Sequence, residues 1–358
     1  MRNNYQIKDL KLEVNRNCPL KCLHCSSNGM PHAPEELSPE KVCELIREFA
    51  YLGGEKLCIS GGEPLCYEGL PAVIDASRRA NIETAIYTTG ISSNGSSLQP
   101  ISDRMLARLS ESDIKIIFSL HGARAQTHDT LTQVEGSFHT TMIAMERAIN
   151  AGASAQVHVV PTAINFKEIA DITKLLASVK IKKVSWLRFV PQGRGEVNRD
   201  RLQLNKEQLK QLAKRKIELQ QKYSTIQIRT GAPFNILCPT LATPCEAGLS
   251  VLTVKPNGRA VPCDAFKQFR TKDDFGNVLF HSLSEVWKKS YLLNEVRGIH
   301  EAKLTSSCAS CSLYAQCNSG CLAQKAIAAG KLIDGKDPDC LLNGVEMRGG
   351  KVEASSVC

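Results

Sequence analysis

Cys18, Cys22 and Cys25 stand in the run Cys18-Pro-Leu-Lys-Cys22-Leu-His-Cys25, directly after a short apolar stretch of strand character. Three thiols this close in sequence can wrap one corner of an iron–sulfur cluster, and three ligands leave one iron of a four-iron cluster open. An open position is what separates a catalytic metal site from a structural one, because a substrate or cofactor can enter it. The spacing is neither that of paired CxxC zinc motifs nor that of the bacterial ferredoxin run. The fold must therefore carry this loop at the end of its first strand, with room for a ligand in front of it.

From about residue 11 to 223 the pattern alternates strand and helix. Strands are expected at 12–15, 56–60, 83–89, 115–120, 155–161 and 184–190. Helices are expected between them at 39–52, 70–79, 103–109, 138–151 and 166–176, with a last one at 206–222. Ser38 before Pro39 is a good helix start, since serine caps the free N–H groups and proline suits the first turn. Gly152 is a good stop. Six such units imply a parallel sheet with right-handed crossovers, short of the eight of a full TIM barrel. Active sites in such sheets lie at the carboxyl ends of the strands.

After residue 228 the alternation breaks, and Pro, Gly and Cys become frequent; the segment 283–293 is the one clear helix there. Cys245 is followed after twelve residues by Gly258 and after four more by Cys263. Then come Cys308-x2-Cys311-x5-Cys317-x3-Cys321 and, eighteen residues later, Cys340. Cys238 makes an eighth thiol, enough for two fully ligated four-iron clusters. Ligation is expected to supply much of the folding free energy of this region.

The two cysteine sets together resemble the radical S-adenosylmethionine (radical SAM) enzymes with a C-terminal SPASM module, over roughly residues 11–343. The resemblance implies an α/β fold, a partial (β/α)6 TIM-like barrel followed by an irregular cysteine-rich SPASM domain. The barrel would occupy 1–228, the SPASM domain 229–345 and a mobile tail 346–358. It implies three 4Fe-4S clusters and S-adenosyl-L-methionine as cofactors. Cys18, Cys22 and Cys25 would hold the cluster that binds S-adenosylmethionine. By pattern, Cys238, Cys245, Cys263 and Cys321 would hold auxiliary cluster I. Cys308, Cys311, Cys317 and Cys340 would hold cluster II.

Further positions carry over residue by residue. His24, between two ligands, would lie near the adenine. Gly61, Gly62, Glu63 and Pro64 resemble the motif that holds the methionine amine: glycines let the backbone approach closely, and carbonyls plus Glu63 suit an ammonium group. Ser119, with His121, matches residues that contact the ribose. His128-Asp129 and Gly136-Ser137-Phe138 match a common run of the family, but Thr132 stands where an arginine often contacts the methionine carboxylate. Arg188 or Arg124 is expected to take that contact, and Asn165 to face the same cavity. Asp264, after Cys263, matches an acid that in the related anaerobic sulfatase-maturating enzymes deprotonates the substrate radical. Cys43, Cys58, Cys66 and Cys358 fall outside every ligand pattern; Cys58 and Cys43 read as buried, hydrophobe-like thiols.

The N-terminus has no apolar signal segment, and no run approaches the roughly 18 apolar residues of a membrane span. A cytoplasmic, reducing compartment is expected, with no membrane partner. Net charge is +9, but no basic patch is interleaved with aromatics, so no nucleic-acid partner is expected. Most SPASM relatives modify peptides or proteins, so the reading is an oxidoreductase that crosslinks or oxidises a peptide or protein side chain. The alternative is a small molecule, such as a tetrapyrrole side chain or a sugar. Reduced flavodoxin or ferredoxin is the expected electron donor. A chain that starts almost at its first strand is not expected to carry the extra N-terminal peptide-binding domain of some maturases. A non-catalytic electron carrier is the reading of another class; it has no use for an open iron.

Overall fold

The structure is a computed structural model that describes residues 5–93, 97–237, 243–303 and 305–342. Its strands are β1 (Asp9–Glu13), β2 (Lys56–Ser60), β3 (Glu83–Thr88), β4 (Ile91–Ser93), β5 (Leu98–Pro100), β6 (Lys115–Ser119), β7 (Ala155–Val159), β8 (Lys183–Trp186), β9 (Gln227–Thr230), β10 (Val251–Val254) and β11 (Ala260–Val261). Nine of them form one sheet in the order β11-β10-β1-β2-β3-β6-β7-β8-β9. The six expected units are all present, in chain order from β1 to β8, and every pairing among them is parallel.

The sheet extends beyond six strands at both edges. On one side β9 pairs parallel to β8, so the expected junction at residue 228 falls inside a strand. On the other, β10 from the cysteine-rich region pairs parallel to β1, with Leu10 opposite Leu252 and Leu12 opposite Val254. Main-chain hydrogen bonds thus stitch the second region to the strand that leads into Cys18. The expected tail at 346–358 lies outside the described residues.

Side chains alternate between the two faces of each strand. Leu10, Leu12, Ile59, Ile86, Phe118 and Val157 are buried in one core with Val42, Leu45, Ile46 and Phe49 of the helix Pro39–Tyr51. The other parity carries Lys11, Glu13, Cys58, Ser60, Tyr87, Ser119 and His158. A closed TIM barrel fills its interior with branched apolar layers. Here the inner face is polar and partly accessible, as a ligand cavity requires.

The caps read from sequence form. Ser38 accepts a hydrogen bond from the Lys41 N–H at 3.2 Å. Gly152, at φ +71°, follows the helix Ser137–Asn150 and donates to the Ile149 carbonyl at 3.0 Å. The expected helix at 283–293 is instead two, Leu283–Lys289 and Tyr291–Glu301. The break lies at Ser290, whose hydroxyl accepts from the Leu293 N–H while Asp273 accepts from the N–H groups of Tyr291 and Leu292. A small second core, including Val261, Phe266, Leu292, Val296 and Leu322, backs the cysteine-rich region, so apolar burial contributes there too. Among the described residues no helix is long and apolar enough to cross a membrane.

Candidate active site

The loop 14–30 leaves the carboxyl end of β1 and folds over the sheet mouth. Cys18, Cys22 and Cys25 are free thiols. Burial pushes the Cys22 thiol up to about 12, and the neighbouring Cys25 adds to the shift. Burial likewise raises Cys18, with Cys22 and Cys25 both contributing. Burial of Cys18 and Cys22, which disfavours their thiolates, is what a cationic iron centre would relieve.

The turn at 61–64 packs against this loop. Gly62 donates to the Asn15 carbonyl at 2.7 Å and Glu63 to the Asn17 carbonyl at 2.8 Å. A Cβ on Gly62 would meet the Asn17 carbonyl oxygen at 2.4 Å, so only glycine allows the approach. The Glu63 carboxylate is not free for an ammonium group. It is fully buried and accepts from the Leu65 N–H at 3.1 Å, Thr88 Oγ1 at 2.5 Å, and the Thr89 N–H and Oγ1 at 2.7 and 2.6 Å. Its role in this chain is to clamp the turn to the end of β3, leaving main-chain carbonyls as the acceptors for a ligand.

Histidines gather on the far side of the loop. The His24 and His121 rings meet edge to face at 4.3 Å. Ser119 Oγ lies 2.9 Å from His158 Nε2, and Tyr87 sits 5.5 Å from the same ring. Burial lowers His24 to about 3 and His158 to about 4. Neutral rings with unpartnered Nδ1 atoms on His24, His121 and His158 suit an uncharged, hydrogen-bonding ligand such as a nucleoside.

Other expected positions are placed elsewhere. Arg188 does not face the cavity. Its guanidinium, 3% exposed, is held by Asp337 at 2.7 and 2.5 Å, Asp339 at 2.8 Å and the Pro233 carbonyl at 2.9 Å. The charge is already neutralised, and it braces β8 against the cysteine-rich region. Arg124 points to solvent beside Glu168 and Asp171. Asn165 spends its amide on the His121 and Val160 carbonyls and its oxygen on Thr162. Asp129 accepts from the N–H groups of Gly136 and Phe138 and the Ser137 hydroxyl, each at 2.8 Å, so that run caps the helix Ser137–Asn150. Thr132 is buried, 2.7 Å from Ser137 Oγ.

The arginine at the cluster loop is Arg194, near the end of the basic run Arg188-Phe-Val-Pro-Gln192-Gly193-Arg194-Gly195 that follows β8. Its Nε donates to the Cys22 carbonyl at 2.9 Å and its Nη2 to the Gly29 carbonyl at 2.8 Å. Gly193 before it has φ +61°, and a Cβ there would meet the Cys25 carbonyl oxygen at 2.7 Å. The signal in the sequence was an arginine framed by two glycines after β8.

In the cysteine-rich region, Cys308, Cys311, Cys317 and Cys340 line one apolar pocket with Ile236, Leu313 and Asp337. Cys245, Cys263 and Cys321 form a second group. Burial pushes Cys245 up to about 11, and Cys321 adds to it; Cys263 rises further under burial, Cys321 and Cys245. Cys238 lies outside the described residues. Among the described residues no three such side chains are placed to share one metal ion. The thiols are set around a volume, which suits a cluster.

Asp264 is deep in the protein yet 42% exposed, so its carboxylate faces the cavity. Lys11 meets it at 2.6 Å and Lys267 at 3.4 Å. Burial opposes its charge, but the two ammonium groups outweigh that and hold it well below the usual carboxylate range. Cys58 and Tyr87 project from β2 and β3 on the same face as Lys11, and the Cys58 thiol, expected to be buried, is half-buried there.

Residues 12–176 match the Radical SAM superfamily, and residues 245–312 match an iron–sulfur cluster-binding domain, SPASM. The mycofactocin maturase MftC of Mycolicibacterium smegmatis is 29% identical over 343 residues, 93% of this chain and 82% of that protein. The PqqA peptide cyclase of Rhizobium meliloti is 26% identical over 332 residues, covering 92% and 85%. Among solved structures, Streptococcus suis SuiB bound to S-adenosylmethionine superposes with a TM-score of 0.76 at 19% identity, covering 94% of this chain and 77% of that one. The likeness to SuiB is one of fold.

Proposed function

We propose, for a chain that belongs to the radical SAM superfamily and carries a SPASM iron–sulfur domain, that it modifies a peptide, by crosslinking or oxidising a side chain. The observation that carries this reading is the joining of the two cysteine regions in one sheet: β10 runs beside β1, so the Cys18–Cys25 loop and Cys263-Asp264 flank one polar cavity. A mycofactocin maturase and a PqqA peptide cyclase match nearly end to end, and SuiB has been solved with its precursor peptide SuiA, which supports a peptide as the substrate class.

When bound, the first cluster and S-adenosylmethionine supply a 5′-deoxyadenosyl radical that abstracts hydrogen from the substrate. Cys18, Cys22 and Cys25 hold that cluster. The carbonyls of the Gly61–Pro64 turn receive the amino group, and His24, Ser119, His121 and His158 surround the nucleoside. Cys238, Cys245, Cys263 and Cys321 hold one auxiliary cluster, and Cys308, Cys311, Cys317 and Cys340 a second, three in all. Asp264 stands at the cavity edge, where it would accept the proton that the substrate loses, and a cluster held by Cys263 beside it would supply one-electron redox chemistry there. Electrons enter from reduced flavodoxin or ferredoxin, and the compartment is cytoplasmic.

The test is anaerobic. Reconstituted protein with reductant and S-adenosylmethionine should release 5′-deoxyadenosine, and a short precursor peptide encoded beside the gene should become lighter by a pair of hydrogens. Changing Cys18, Cys22 and Cys25 together to Ala should remove about four irons and abolish the release. Release surviving in that variant overturns the reading of the first site. A peptide unchanged in mass, with deoxyadenosine still formed, overturns the substrate class.

A further inference from the structure

One buried cation touches both halves of the site. The Lys267 ammonium, on a side chain 9% exposed, lies 2.7 Å from Glu13 Oε1, 3.2 Å from Ser27 Oγ and 3.4 Å from Asp264 Oδ1. Glu13 ends β1, Ser27 follows Cys25 by two residues, and Asp264 follows Cys263. Ser27 also donates to Glu13 Oε1, while Glu13 Oε2 has no side-chain or main-chain partner. The three donors of an ammonium match these three oxygens, which come from three separate stretches of chain.

We propose that Lys267 is a positioning residue that sets the geometry between the S-adenosylmethionine-binding cluster loop and the auxiliary ligand segment 263–268. A parallel set of contacts shows the same design. Gln268 donates to the Ser26 carbonyl at 2.8 Å, and Gln192 donates to the Asp264 carbonyl at 2.9 Å. These are neutral amide bonds at the edge of the segment. Lys267 carries charge, as does the Lys11–Asp264 pair at 2.6 Å, and it alone of these pairs with a glutamate that is itself 2% exposed. Removing it leaves the buried Glu13 carboxyl without its contacting ammonium group, so Glu13, Ser27 and Asp264 lose their common partner at once. Lys267 touches no reacting atom. It acts through Asp264 and through the loop that carries Cys25.

The inference rests on the reading that both cysteine sets hold clusters, and its test needs no substrate. Lys267→Met keeps the aliphatic stem and removes the charge; Lys267→Arg keeps the charge. The measurement is the magnetic interaction between the reduced first cluster and the reduced auxiliary cluster at Cys263, by electron paramagnetic resonance, together with iron content. Wild type should show a defined interaction. Lys267→Met should retain iron and the spectral change of the first cluster on adding S-adenosylmethionine, yet lose the defined interaction, and Lys267→Arg should restore it. Should Lys267→Met precipitate, Glu13→Gln/Lys267→Met removes both charges and is expected to fold and still lose the interaction. An interaction unchanged from wild type in either variant overturns the proposal. Wild-type protein lacking one of the two cluster signals overturns the cluster reading instead, so the two failures are distinct.

Discussion

Arg188→Met is the substitution from which the structure predicts the largest stability loss. It removes a guanidinium that donates two hydrogen bonds to Asp337 and one each to Asp339 and Pro233. Asp337 is 1% exposed and would keep its charge with only the N–H groups of Cys321 and Asp339 as donors. Breaking a buried pair by removing one partner costs about 3–5 kcal/mol, since the other charge is left uncompensated. That is a fifth or more of the roughly 5–15 kcal/mol by which a domain is stable. The loss should fall first on ligation: Asp337 receives the Cys321 N–H, and its carbonyl receives the Cys340 N–H at 3.0 Å, so both auxiliary groups lean on it. Iron content and thermal unfolding of anaerobically reconstituted protein are the assay. Arg188→Met should lose auxiliary iron and melt lower, whereas Arg188→Met/Asp337→Leu should recover much of the loss, because replacing both charges by apolar groups is often neutral. A single variant with full iron and a stability within about 0.5 kcal/mol of wild type, as for an ordinary surface change, refutes the reasoning.

Asp264→Asn should still cleave S-adenosylmethionine but form little peptide product, a loss of roughly 100- to 10,000-fold if the carboxylate takes the proton; product near the wild-type rate would reduce Asp264 to a partner of Lys11 and Lys267. Acid should destabilise the fold through His128, which burial lowers to about 4. A depressed histidine favours the neutral form, so its contribution is full above the unfolded value near 6.5 and is lost as pH falls from there towards 4, at most about 3 kcal/mol. Unfolding of His128→Gln by denaturant at several pH values should show a shallower decline across that window, and a decline equal to wild type would exclude His128 as its source.

The barrel was legible because strand and helix alternate with strong punctuation, and the cluster loop because three cysteines in eight residues leave few alternatives. Arg188 misled because a basic residue at the end of a parallel strand ordinarily faces the site. Its true partners, Asp337 and Asp339, lie about 150 residues away, in a segment with no periodicity to place it. Glu63 misled for a related reason: the motif shows a carboxylate beside two glycines but not Thr88 at the end of β3 and Thr89 just after it, which consume it. Charge pairs closed by tertiary contact leave no trace in a local pattern.

The polar cavity did leave a trace. A parallel strand covered on both faces reads as a continuous apolar run. Here β1 reads Asp-Leu-Lys-Leu-Glu, alternating where a filled barrel would not. In the structure that alternation puts Lys11 and Glu13 on the face opposite the core residues Leu10 and Leu12. The same argument gives Lys267 its significance. Glu13 and Lys11 on the inner face find their contacting countercharges in Lys267 and Asp264, and the segment that brings both is the one carrying Cys263. The auxiliary region is therefore not an appendage to a finished barrel, because it supplies the ion-pair partners that Lys11 and Glu13 contact.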